Sequence, residues 1–312
     1  MIVVACPGQG SQTPGFLSPW LELDGVRELL EAYSDAAKVD LIAHGTVSDA
    51  DTIRDTSIAQ PLIVAASLLA WHALGDARTG AGGLAGHSVG EIAAVAAAGV
   101  IDAADAMSFV GIRGTAMAEA AALVETGMSA VIGGVEADVL ARLAELDLTP
   151  ANYNGGGQIV AAGALPALAE LAADAPRGTR VIPLQVAGAF HTRFMEPARP
   201  ALAAAVATLV AGGKVADPAL PLWTNSDGTT VASGARSLEL LVGQVAAPVR
   251  WDLCMQGFSD AGITGLVELT PGGTLVGLAK RALRGVPSVA VKTPDDLDAA
   301  IALLTDAPKD AS

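Results

Sequence analysis

The stretch Leu84-Ala85-Gly86-His87-Ser88-Val89-Gly90-Glu91-Ile92-Ala93-Ala94-Val95 decides how this chain is read. A short apolar run leads into Gly-x-Ser-x-Gly at residues 86–90, and an Ala-rich helical segment starts at once through Glu91. That is the strand, tight turn and helix that a nucleophile elbow requires. A turn this sharp leaves no room for side chains on either flank, so glycine is needed there, while the serine sits in strained backbone with its hydroxyl exposed. At a helix N-terminus, unpaired backbone N–H groups lie nearby and favour negative charge. The pentapeptide alone is weak: with 35 glycines in 312 residues, about 0.2 matches per chain arise by chance. A glycine-rich loop capped by a serine reads the same way, so the surrounding chain has to decide.

Outward from the elbow, short Val/Ile/Ala/Leu runs at 2–5, 84–85, 222–224, 265–269 and 288–291 read as strands. Helical patterns separate them at 26–37, 61–74 with Pro61 in the first turn, 91–98, 103–121, 193–210, 238–245, 251–261, 275–283 and 295–304. Such alternation predicts an α/β fold with a parallel sheet. Between 127 and 184 the rhythm changes to strand 128–132, helix 136–146, strands 151–154 and 158–162 around Gly155-Gly156-Gly157, helix 165–173 and strand 180–184. The order β-α-β-β-α-β is that of a ferredoxin-like unit. The expected organisation is a discontinuous α/β-hydrolase-like domain, 1–126 plus 187–312, interrupted by a ferredoxin-like small domain at 127–186. The only other departure is a short polar tail after Asp306.

Composition narrows the function classes. The chain is 52% hydrophobic but only 4% aromatic, which fits Ala-rich helices on a Val/Leu sheet and offers few surfaces for stacking bases. With 18 Lys+Arg against 33 Asp+Glu, a net charge of −15 repels phosphodiester backbones and anionic headgroups, arguing against nucleic acid or a membrane as partner. The apolar run 61–71 is too short to span a bilayer. Residues 1–6 are apolar without a basic leader and run into Pro7-Gly8, reading as a strand rather than a signal peptide. Cys6 and Cys254 are far apart and lack metal-ligand spacing. They read as buried free thiols in a cytoplasmic protein, with no metal site.

The base is chosen among four histidines. His44 lies in a polar loop and His72 at a helix end, both structural or solvated. His87 adjoins Ser88, and on a tight turn adjacent side chains diverge. His191, in the loop-like run Ala187-Gly188-Ala189-Phe190-His191-Thr192, is the natural general base, expected near its working pKa around neutrality. A lone loop histidine is otherwise a surface residue.

Six stretches now stand in order: Gly8-Gln9-Gly10-Ser11-Gln12, Gly86 to Glu91, Arg113-Gly114-x-x-Met117, Asn154 with Gln158 and Gly163, Ala189-Phe190-His191, and Gln244 before Pro248-Val249-Arg250-Trp251. Together they resemble the malonyl-CoA:acyl carrier protein transacylases of fatty-acid and polyketide synthesis, collinearly over nearly the whole chain. The resemblance implies that Ser88 attacks the malonyl thioester while His191 takes its proton, and that the phosphopantetheine thiol of an acyl carrier protein then collects the malonyl group. Such covalent traffic implies ping-pong kinetics. It further implies an oxyanion hole from the backbone N–H groups of Gln9 and Val89, and a main-chain carbonyl at Gln244 orienting His191 in place of a triad acid.

Arg113 is implied to bind the free malonyl carboxylate through paired charge-assisted bonds; an isolated helical arginine would be a surface residue. Met117 lines an apolar pocket in this reading. Phenylalanine before the histidine accompanies malonyl in relatives, where serine accompanies α-methylated units, so Phe190 implies malonyl, or else is a packing residue. Asn154 and Gln158 face the cleft or satisfy a glycine-rich turn, and Gln60 matches a position near the nucleophile. No resident cofactor is implied, since malonyl-CoA is substrate and phosphopantetheine arrives on the partner. Docking an acidic carrier needs a local basic surface, for which Lys280, Arg281, Arg284, Arg193 and Arg199 are candidates, although charged helical faces are commonly just solvated. The resemblance leans towards a monomer.

Two rivals remain. A serine esterase or thioesterase shares the elbow but usually places its histidine near the C-terminus, and no histidine follows His191. A non-catalytic scaffold would keep the pocket without the chemistry.

Overall fold

The computed structural model describes residues 1–305; the polar tail after Asp306 lies outside the described residues. Nine strands are present among them: β1 Ile2–Cys6, β2 Ala81–Gly86, β3 Thr126–Gly133, β4 Thr149–Gly155, β5 Gln158–Ala164, β6 Thr179–Pro183, β7 Val249–Arg250, β8 Gly265–Glu268 and β9 Ser288–Ala290. The first sheet has the order β2-β1-β8-β9 with every pairing parallel. Strand β1 is buried along its whole length, as expected for a central parallel strand covered on both faces. Its side chains alternate: Ile2, Val4 and Cys6 enter a core with helices Thr56–Ala73, Gly90–Ala97 and Ala103–Ala122, whereas Val3 and Ala5 pack with Trp223, Trp251 and Phe258. Helices therefore cover both faces of an α/β sheet.

The second sheet has the order β6-β3-β5-β4-β7. Its first four strands pair antiparallel, and helices Glu136–Glu145 and Leu165–Ala173 fill one face through Val139, Leu143, Leu168 and Leu171 against Val131 and Ile159. The alternate residues Met128, Ala130 and Val160 point the other way, into a cleft against the first unit. The short β7, which the sequence reading missed, joins β4 in parallel and ties residues 249–250 to this sheet.

Several elements differ from expectation for identifiable reasons. The helix expected from Pro61 begins at Thr56, because Asp55 caps it by accepting from the Ser57 backbone N–H at 2.8 Å, and Pro61 is carried inside. At 18 residues, Thr56–Ala73 is long and apolar enough to cross a membrane, unlike the run 61–71, yet 72% of it is buried inside the protein. His44 lies in the short helix Leu41–Thr46, not in a loop. The continuous helix expected at 193–210 is a 3-10 turn at Arg193–Ala198, containing Pro197, followed by an α-helix over Arg199–Ala211. Residues 222–224 form only isolated bridges, Leu84 to Leu222 and Trp223 to Thr230.

Candidate active site

Strand β2 delivers the chain into the elbow and helix Gly90–Ala97 takes it away. Ser88 has φ of +54°, the left-handed region that a non-glycine residue enters only when its surroundings hold it. Both flanking glycines are sterically required. A Cβ on Gly86 would lie 2.1 Å from the Gly90 carbonyl carbon, and one on Gly90 would lie 2.2 Å from the Cys6 oxygen.

His191, from the loop after the second unit, brings its Nε2 to 2.7 Å from Ser88 Oγ. Its Nδ1 lies 2.8 Å from the Gln244 main-chain oxygen. A carbonyl can only accept, so Nδ1 carries the proton and the Nε2 lone pair faces the serine hydroxyl. His191 is itself held at φ of +61° with its N–H bonded to the Val245 oxygen. Contrary to the expectation of a near-neutral pKa, burial, together with the Arg113 charge, pushes the imidazole down to about 3, so the ring is neutral at physiological pH.

The guanidinium is more deeply set than expected. Arg113 is fully buried and does not line the cleft; it lies behind Gln60, which does. It donates to Gln60 Oε1 at 2.6 Å and to Gln244 Oε1 at 2.8 Å, while its Nε has no partner among the described residues. Burial lowers it to about 10, so it remains charged. The Gln60 amide nitrogen in turn reaches Met117 Sδ at 3.5 Å. Gln244 thus serves twice: its backbone oxygen receives His191, and its amide holds Arg113, donates to the Ser88 oxygen at 3.1 Å and also bonds the Glu91 carboxylate. Burial raises Glu91 to about 7.

The remaining candidates line a cleft of about 260 Å³ that contains Ser88 and His191: Gln9, Gln60, Met117, Asn154, Gln158 and Phe190. Among the described residues, neither the Gln9 nor the Val89 backbone N–H donates to another protein group. The Val89 side chain is buried in the core. Asn154 bonds His87 Nε2 at 2.9 Å and Gln158 Oε1 at 3.1 Å, which turns His87 towards the second sheet and away from Ser88. A larger cavity of about 600 Å³ lies against Gln244, lined by Arg199, Arg236 and Arg250 among others. Among the described residues its lining has no histidine to activate the Thr224, Ser226 and Tyr153 hydroxyls, and those arginines are already paired with Glu196, Glu239 and Asp252. The smaller cleft is the one that holds the serine–histidine pair.

Of the basic candidates, Arg193 is paired with Asp147 at 2.6 Å and Arg199 with Glu196 at 2.9 Å. Lys280, Arg281 and Arg284 are exposed, and among the described residues none has a carboxylate within 4.0 Å. The first two belong to helix Thr274–Ala282, whose Thr274, Leu275 and Leu278 line the cleft. The helix is pinned by buried Glu268, which accepts from the Gly273, Leu275 and Val276 N–H groups at 2.7 to 2.9 Å.

Sequence reading missed two residues here, Glu268 and Asn225. Asn225 sits in a Thr224-Asn225-Ser226-Asp227-Gly228 run that reads only as a turn. Its side chain accepts from the Ser88 N–H at 2.7 Å and donates to the Gly86 oxygen at 2.7 Å, while its own N–H donates to Glu91 Oε1 at 2.7 Å.

The acyl transferase domain family matches residues 3–293. A malonyl CoA-acyl carrier protein transacylase of Mycobacterium bovis is 54% identical over 301 residues, 96% of this chain and 98% of the relative. The crystal structure of MCAT from Mycobacterium tuberculosis superposes with a TM-score of 0.93 at 53% identity, covering 96% of this chain and 99% of that one. An acyl-carrier-protein S-malonyltransferase from Bartonella henselae gives 0.89 at 31% identity, covering 97% and 99%. With a nucleophile elbow and a carbonyl-oriented imidazole on one cleft, a buried guanidinium behind its wall, and relatives matching along nearly its whole length, the chain belongs to the malonyl-CoA:acyl carrier protein transacylase family.

Proposed function

We propose that this chain moves a malonyl group from malonyl-CoA to the phosphopantetheine thiol of an acyl carrier protein through a malonyl ester on Ser88. The observation that carries the reading is the 2.7 Å approach of Ser88 Oγ to His191 Nε2, with the opposite ring nitrogen held by the Gln244 carbonyl. Ser88 Oγ attacks the thioester carbon as its proton passes to His191. The free N–H groups of Gln9 and Val89 receive the oxyanion. Collapse expels the coenzyme A thiolate, which takes the proton back from the imidazolium, and the carrier's thiol then repeats the sequence in reverse on the ester. The two half-reactions are ping-pong and need neither a metal nor a resident cofactor.

The malonyl carboxylate binds Arg113, which requires the Gln60 amide to turn aside. Neutralising the guanidinium removes its pull on His191, so the base strengthens when the right acyl group is present. Phe190, buried on the cleft wall, crowds an α-methyl group, while Met117, Asn154 and Gln158 complete the lining. The carrier docks on Lys280, Arg281 and Arg284, with Arg193 a lesser contributor because it is already paired. We read the large unit, 1–126 plus 187–312, as α/β-hydrolase-like. The unit at 127–186 is read as ferredoxin-like, supported by the strand order β6-β3-β5-β4 and its antiparallel pairings. The protein works as a cytoplasmic monomer.

Mass spectrometry of the denatured protein after exposure to malonyl-CoA tests the scheme. A malonyl adduct on Ser88 is expected, absent in Ser88→Ala and discharged by carrier protein. Release of free malonate in preference to malonyl-carrier would instead identify a thioesterase, and no adduct a scaffold.

A further inference from the structure

We propose that Asn225 is the positioning residue of the nucleophile: its side-chain amide clamps the backbone on both sides of His87 and holds Ser88 in the conformation that presents Oγ to the base. The inference rests on the reading of Ser88 as nucleophile. Gly86 closes β2 and Ser88 stands before helix Gly90–Ala97, and one side-chain amide bonds the Gly86 carbonyl and the Ser88 N–H, each at 2.7 Å. Asn225 is itself 1% exposed, and its backbone is fixed by the Glu91 carboxylate on the helix that leaves the elbow. Glu91 also bonds the Gln244 amide, which reaches the Ser88 oxygen. Turn, helix and base carrier are thereby closed into one ring of bonds, and the left-handed φ of Ser88 is held by something other than its own preference.

The chemistry demands an amide. The clamp needs one acceptor and one donor on the same planar group, which asparagine supplies. A carboxylate of the same shape has two acceptors and would set an oxygen against the Gly86 carbonyl. A protonated carboxyl has a donor again. Asn225→Asp is therefore defective when ionised and competent when protonated. The groups around the introduced carboxyl are Glu91 from helix Gly90–Ala97, Cys254 from helix Trp251–Asp260 with Sγ 3.7 Å from Asn225 Nδ2, Asp227 two residues on, and His87 and Ser88 in the elbow. The cation Arg113 bonds Gln244 and acts on Glu91, and Arg250 of β7, whose backbone N–H donates to the Asn225 oxygen at 2.9 Å, has its guanidinium paired with Asp252 at 2.7 Å. Neutral and anionic neighbours with burial hold such a carboxyl in its protonated form to unusually high pH.

The test compares kcat for malonyl transfer in Asn225→Asp with wild type as a ratio across pH, alongside Asn225→Ala. The expected ratio is down about 30-fold near pH 8, with KM for malonyl-CoA within about threefold of wild type, and it recovers by at least about fivefold towards pH 6. Asn225→Ala, with no proton to regain, stays low throughout. A ratio that is flat with pH, or a kcat within about threefold of wild type near pH 8, overturns the inference. If the variants fail to fold, hydrogen exchange of wild-type peptides spanning residues 86–90 decides: a slowly exchanging Ser88 amide supports the clamp, and one exchanging at open-loop rates refutes it. A wild type that acquires no malonyl on Ser88 would instead remove the nucleophile reading itself.

Discussion

Replacing Arg113 by alanine should convert a malonyl-selective site into an indifferent one. In the free protein the guanidinium spends two N–H groups on the Gln60 and Gln244 amide oxygens. A malonyl carboxylate exchanges those neutral acceptors for charged ones in a fully buried setting. Hydrogen bonds to charged groups contribute about 1.5–3 kcal/mol each, and because existing bonds are given up, the lower end applies, about 3 kcal/mol for the pair. At about 1.4 kcal/mol per factor of ten, kcat/KM for malonyl-CoA should fall about 100-fold. Acetyl-CoA, with no carboxylate, loses none of this. The assay is formation of acyl-enzyme from malonyl-CoA and acetyl-CoA in wild type, Arg113→Ala and Arg113→Met, the last filling the volume with an apolar chain. The selectivity ratio cancels any loss of folded protein caused by the unpartnered amides left behind. Both substrates falling by the same factor would refute the reasoning, because Arg113 would then support the fold of the site and not read the acyl group.

Further outcomes follow from the same geometry. Glu91 titrates at about 7 in the folded protein because burial outweighs its partners, against an unfolded value near that of an ordinary glutamate. The folded state therefore binds more protons between those values, and stability from this group is present at the lower pH and lost as pH rises through about 7. Glu91→Gln, which cannot titrate, should gain in Tm relative to wild type as pH is raised from 5 to 8 in thermal melts, and a constant difference would count against the shift. Phe190→Ser should raise the methylmalonyl-to-malonyl loading ratio, measured with the two coenzyme A thioesters in competition; an unchanged ratio would reduce Phe190 to packing. Arg281→Glu should raise KM for carrier protein several-fold while leaving that for malonyl-CoA alone, and equal effects on both would reject the docking surface.

Much of this is legible in the sequence. The elbow is a local device: Gly86 and Gly90 are required by backbone atoms within a few residues or on the adjacent β1, so its signal is contiguous in sequence. Helix and strand periods, the all-apolar β1 and the β-α-β-β-α-β order are likewise local patterns, which is why helix Val26–Ala37 has the bounds that periodicity assigns to it. Scarcity selected His191, since a chain with four histidines offers few bases. Local signals failed where a cap outranked a proline, as at Asp55 and Pro61, and where a strand of two residues, β7, forms only because β4 lies beside it.

The chain by itself thus singled out Ser88 and His191, which the fold brings to 2.7 Å, the serine announced by its neighbours along the backbone and the histidine by scarcity. Tertiary structure alone decided their electrical and conformational state. The bonds that set it join residues 103, 137 and 156 positions apart, and a turn asparagine such as Asn225 looks the same in sequence whether it faces water or a strained serine. The low pKa of His191 and the depth of Arg113 have the same origin: desolvation depends on how completely other segments exclude water, and no property of the residue or its neighbours in sequence records that.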